Sequence, residues 1–309
     1  MTLDHRIIGS AASGERERVA GMKRSAGARA LLATAVLAAA CGPSGPTGGE
    51  STTQPPASLP SGALASQTGE HGWNRDRLRA ALGRRAGTTH TALPTPLNSR
   101  VGAVFTHAAD GDHFCTASVV GSPARNLIVT AAHCLVDPGI GASRTDLVFV
   151  PGYRSGDAPS GVWPLGTVTV DPSWRTRGDQ DLDVAFATVQ PQNGRQVQQV
   201  LGANRLGTNR GYTLPVKVTG YPSSSDEPIT CSNTTVRQSP TQLRIDCPDY
   251  TGGTSGSPWV TELDPSTHTG TVVGVIGGYQ RGGDTADISY SSYFGDRVRM
   301  LYTQASQAS

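Results

Sequence analysis

Between Val101 and Tyr302 the chain is a succession of short apolar runs, punctuated at short intervals by glycine, proline, asparagine and aspartate. Val101-Gly102-Ala103-Val104-Phe105, Phe114 to Val120, Leu127-Ile128-Val129-Thr130 and Leu147 to Val150 each read as a strand. So do Gly166 to Val170, Val184 to Val189, Val216 to Thr219, Trp259-Val260 and Thr271 to Ile276. Helical spacing of apolar residues is scarce until Asp296-Arg297-Val298-Arg299-Met300-Leu301-Tyr302. Many short strands with turn residues between them predict an all-β sandwich or barrel.

Upstream the pattern changes. Lys23, Arg24 and Arg29 precede the run Ala30 to Ala40, which is too short to span a bilayer and ends in small residues. Residues 1–41 therefore read as an export signal, with Met22 a candidate true start. Cys41 directly follows Ala38-Ala39-Ala40, which resembles a bacterial lipobox with Ala38 where leucine is usual. Lipidation at Cys41 is the expectation, giving an extracellular product held on the outer face of the cell membrane. Residues 42–98 read as a linker. Its first part is glycine, proline, serine and threonine with almost nothing to bury, and a short arginine-rich helix is expected near 73–86. A folded domain is expected over 99–305.

Composition narrows the partners. The net charge of +2 gives no reason to expect a nucleic acid. A monomer without metal or cofactor is expected, its membrane contact limited to the lipid on Cys41.

Three stretches carry candidate chemistry. In Thr251-Gly252-Gly253-Thr254-Ser255-Gly256-Ser257-Pro258, small residues surround a serine. Glycine permits close backbone approach there, so a hydroxyl and backbone N–H donors can converge on one carbonyl. Ser257 stands where the Gly-x-Ser-x-Gly elbow of α/β-hydrolases needs glycine, which disfavours that fold. Thr130-Ala131-Ala132-His133-Cys134 follows an apolar run, and Asp181-Leu182-Asp183-Val184-Ala185 opens another. Strand periodicity would put Asp179, Asp181 and Asp183 on one face.

The motifs Thr-Ala-Ala-His-Cys, Asp-Val-Ala and Gly-Thr-Ser-Gly-Ser-Pro, in that order, resemble a bacterial trypsin-like serine peptidase, nearest the glutamyl-endopeptidase branch. The resemblance implies two six-stranded antiparallel β-barrels with a C-terminal helix, and a site between the barrels. It implies Ser255 as nucleophile, His133 as general base, Asp183 as the orienting acid, and the N–H groups of Gly253 and Ser255 as the oxyanion hole. It pairs Cys115 with Cys134, which leaves Cys231 with Cys247. Without it, four cysteines allow three connectivities. Even pairing agrees with an oxidising compartment outside the cell.

The implied activity is hydrolysis of peptide or protein substrates through an acyl-enzyme. A silent peptidase-like binding module and an esterase are the alternatives. Two departures qualify the resemblance. Thr254 replaces the aspartate that receives a new N-terminus in chymotrypsin-like zymogens, so no activating cut is expected at Arg100-Val101. Ile276 stands where glutamyl endopeptidases carry histidine, which argues against glutamate at P1, the substrate residue before the cut. Asp249 has the offset of trypsin's acidic pocket base, though Thr251 replaces the cysteine between them, and would favour a basic P1 residue.

Overall fold

The computed structural model describes residues 86–107 and 113–307. The export signal, Cys41, the tether and all but the last residue of the expected basic helix lie outside the described residues.

A first strand, β1 (Thr89–Thr91), precedes a closed barrel. The barrel comprises β2 (Val101–Thr106), β3 (His113–Val120), β4 (Leu127–Thr130), β5 (Val148–Pro151), β6 (Trp163–Val170) and β7 (Ala185–Val189), in the order β2-β3-β4-β7-β6-β5. Alternation explains the continuous apolar runs. Ile128, Ala185 and Ala187 point into the barrel core with Phe149, Trp163 and Trp174. Their neighbours Leu127, Val129, Val184 and Phe186 point out into a second core shared with the rest of the chain. These strands are thus buried on both faces.

The second half contains β8 (Arg205–Leu206), β9 (Pro215–Gly220), β10 (Ile229–Thr234), β11 (Val236–Ser239), β12 (Gln242–Asp246), β13 (Pro258–Asp264), β14 (Thr269–Val275) and β15 (Ile288–Ser292). They pair as a six-stranded sheet, β1-β10-β9-β13-β14-β8, and a three-stranded sheet, β11-β12-β15. The fold is thus mostly β, with one ring closed by hydrogen bonds where the resemblance implies two. Trp259, Leu243, Ile245 and Tyr250 fill the core of this half. The C-terminal helix Asp296–Gln307 buries Val298, Leu301 and Ala305, the stripe expected of an amphipathic surface helix.

The linker boundary at residue 98 moves upstream. Thr89 pairs with Cys231 and Thr91 with Ile229, the Gly87 N–H donates to Asp246 O (2.9 Å), and Asn98 Oδ1 accepts from Lys217 Nζ (3.0 Å). A polar segment can be held by backbone pairing to an open sheet edge, which composition does not reveal.

Candidate active site

His133 sits in a 3-10 turn, Ala132–Cys134, directly after β4. Cys134 is bonded to Cys115 on β3, and Cys231 to Cys247, so both implied disulfides are present. The first fastens the histidine turn to the neighbouring strand.

Asp183 lies fully buried between a 3-10 turn, Gln180–Leu182, and β7. Its Oδ2 is 2.7 Å from His133 Nδ1, and its Oδ1 accepts the His133 backbone N–H at 2.9 Å. Oδ2 also accepts the Gly278 N–H at 2.9 Å. Burial by itself would push this carboxyl up. The charge of His133, its hydrogen bonds and that of Gly278 outweigh burial and hold it below the usual carboxylate range.

The three aspartates do not share a face, because residues 180–182 form a turn and not a strand. Asp179 caps that turn, accepting from the Asp181 N–H (3.2 Å), and Asp181 Oδ1 accepts from Gln242 Nε2 (2.8 Å). Of the three, Asp183 alone contacts His133.

Ser255 arrives from the other half, in the loop before β13. Thr116 on β3 holds that loop. Its N–H donates to Ser255 O (2.7 Å) and its hydroxyl to Gly253 O (3.0 Å). Gly256 has φ +83°, and a Cβ there would collide with Thr116 O and Thr130 Oγ1. Only glycine lets the serine loop lie this close to the strand end that leads into His133. Among the described residues, the N–H groups of Gly253 and Ser255 have no hydrogen-bond acceptor. Two donors therefore remain unused beside the serine. Thr254 is buried, its hydroxyl donating to Thr251 O (2.7 Å).

A cavity of about 300 Å³ opens beside Ser255, lined by Tyr250, Ile276, Arg281 and Asp284 among others. Asp249 is not among its walls. It is exposed, and its left-handed backbone (φ +71°) turns the chain so that Tyr250 is buried, with its hydroxyl donating to Val218 O (2.9 Å). The offset that suggested a basic P1 preference through Asp249 is therefore not realised. Gly278 escaped sequence reasoning because its contribution is a backbone N–H. Glycine at the end of Ile276-Gly277-Gly278 is the one signal that could have found it.

The Trypsin family model matches residues 94–293. Among solved structures, the protease Anisep from Arthrobacter nicotinovorans is similar at 27% identity and a TM-score of 0.63, over 71% of this chain and 99% of that one. The thermostable serine protease AL20 from an extremophilic microorganism is similar at 28% identity and a TM-score of 0.63, over 70% of this chain and 100% of that one. A Glu endopeptidase shares the fold at 16% identity and a TM-score of 0.57, over 72% of this chain and 98% of its own. Among curated proteins none matches by sequence.

Proposed function

The chain belongs to the trypsin family of serine endopeptidases, and from that premise we propose that it cleaves peptide bonds by covalent catalysis through Ser255, His133 and Asp183. The observation that carries the proposal is the double grip of Asp183 on His133, through Nδ1 and the backbone N–H. A carboxylate at Nδ1 keeps the proton on that nitrogen and leaves Nε2 free as a base.

Ser255 Oγ bonds to the scissile carbonyl carbon and gives its proton to His133 Nε2. The carbonyl electrons move onto oxygen, where the Gly253 and Ser255 N–H groups stabilise the oxyanion. Collapse breaks the C–N bond, and His133 returns the proton to the leaving amine. Water then attacks the acyl ester while His133 takes one of its protons. Collapse of this second intermediate expels Ser255 Oγ, which recovers that proton. Asp183 stays ionised and steadies the imidazolium formed twice in the cycle.

A fluorophosphonate probe should label wild-type protein and fail on Ser255→Ala, with His133→Ala unlabelled at ordinary times because the hydroxyl keeps its proton. Folded wild-type protein that takes up no probe would favour a binding module. Labelling with ester hydrolysis but no peptide cleavage would favour an esterase.

The enzyme acts outside the cell on this proposal, tethered by a lipid on Cys41. Four of the five cysteines are closed in two disulfides, which supports an oxidising compartment and leaves Cys41 for another use. Mass spectrometry of the membrane fraction should find an acylated N-terminal Cys41. A soluble product with unmodified Cys41 would refute the anchor.

A further inference from the structure

Gln242, on β12, is buried at 4% exposure and uses both ends of its carboxamide. Nε2 donates to Gln180 O (3.0 Å) and Asp181 Oδ1 (2.8 Å), while Oε1 accepts the Tyr279 N–H (3.2 Å). These partners belong to two segments that meet at Asp183. The turn Gln180–Leu182 delivers the chain into Asp183, and Gly278, next to Tyr279, donates its N–H to Asp183 Oδ2.

The fit around this amide is close. Gly278 has φ +78°, and a Cβ there would stand 3.0 Å from Ser292 N and 3.1 Å from Gln242 Nε2. Ser292 Oγ adds a second donor to Gln180 O at 3.1 Å, so that carbonyl keeps a partner without Gln242. Among the described residues, the Tyr279 N–H and the Asp181 carboxylate have no such second support within hydrogen-bond distance. Both donor and acceptor of Gln242 are thus committed to segments from different halves of the fold.

We infer that Gln242 is a positioning residue for the Asp183–His133 pair. It clamps the turn before Asp183 to the segment after β14 whose Gly278 N–H fixes Oδ2, and so sets the angle at which the carboxylate meets Nδ1. Gln242 itself does not line the cavity, and two of its three hydrogen bonds go to the turn that delivers Asp183, so its influence is expected mainly on turnover. The inference rests on the catalytic roles proposed above.

The test compares Gln242→Leu, Gln242→Glu and the paired exchange Gln242→Glu with Asp181→Asn, using a peptide ester and the fluorophosphonate probe. Gln242→Leu removes all three hydrogen bonds at similar volume. It should lower kcat about 10- to 100-fold, the scale of a small misplacement of a catalytic group, with KM unchanged within about threefold. Gln242→Glu sets a carboxylate against Asp181 and should lose as much. The paired exchange reverses the hydrogen bond to position 181 and keeps an acceptor for Tyr279, but leaves a carboxylate oxygen facing the Gln180 carbonyl, so it should recover part of kcat. A folded Gln242→Leu with wild-type kcat overturns the inference, as does raised KM at constant kcat. Should Gln242→Leu fail to fold, the paired exchange decides: recovered stability without recovered kcat overturns it. Wild-type protein inert to the probe would remove the catalytic roles themselves. Wild-type and variants labelled at one rate would remove only the role of Gln242.

Discussion

Asp183 shows how much one residue depends on its surroundings. Fully buried, it receives the His133 backbone N–H, His133 Nδ1 and the Gly278 N–H, and these keep it ionised. Asp183→Asn keeps the shape but invites the wrong imidazole tautomer, so kcat should fall about 10⁴-fold while the fold persists. The partners of Asp183 hold its carboxyl below the usual carboxylate range, so ionised Asp183 stabilises the folded state. An acid whose folded value lies below its unfolded one adds stability that is fully present above about pH 4, the unfolded range, and is lost as pH falls through the folded value. Thermal melts of wild type and Asp183→Asn should therefore draw together as pH falls from about 4 through the folded value. A gap between them that stays constant with pH would refute this. At this scale the proposed triad of His133, Asp183 and Ser255 is legible, because each stands in a short motif in a fixed order. Asp249 misled, because a left-handed residue sends its side chain elsewhere. Gln242 left no trace, since a lone glutamine on a strand has no local signature.

Elements with apolar cores could be read from the sequence, and those held by pairing could not. The runs at 101–105, 127–130 and 184–189 announce β2, β4 and β7 because both their faces are buried. The strands Ile229–Thr234, Val236–Ser239 and Ile288–Ser292 are largely polar and exist because neighbours supply ladder hydrogen bonds. The two disulfides act on different elements. Removing Cys115–Cys134, which closes a separation of 19 residues, or Cys231–Cys247, at 16, should each cost about 3 kcal/mol in denaturant unfolding. Their kinetic effects should differ. Replacing Cys115 and Cys134 with alanine loosens the His133 turn and should lower kcat. Replacing Cys231 and Cys247 loosens the chain that leads to Tyr250 at the cavity wall and should raise KM. The opposite assignment of kcat and KM effects would overturn this division.

For the whole molecule, maturation is the question the two halves raise together. Arg100 is only 5% exposed, with Nε donating to Leu201 O (3.0 Å) and another guanidinium N–H to His268 O. Burial of this kind hides the Arg100–Val101 bond from a protease, and buried Thr254 offers no carboxylate to a new N-terminus. Active, probe-labelled protein should therefore carry that bond intact when its peptides are weighed. A probe-reactive population beginning at Val101, with the uncut chain unreactive, would sink this expectation.

The strand β1 also decides where force would enter the protein. Gly87 lies against the Cys231–Cys247 bond, and the chain passes at once into three register pairs with β10. Tension along this strand would load the three pairs in shear, whereas a sideways pull would peel them one after another. Either way the strain passes into Asp246 through the Gly87 N–H and into Cys231 through its pairing with Thr89, and so reaches Cys247, three residues from Tyr250, from both sides. The His133–Asp183 pair, mounted on the closed barrel, stands off that line of force. With the chain held at Cys41 as proposed, tugging on it would therefore slacken its grip on substrate before it disturbed the machinery that cuts.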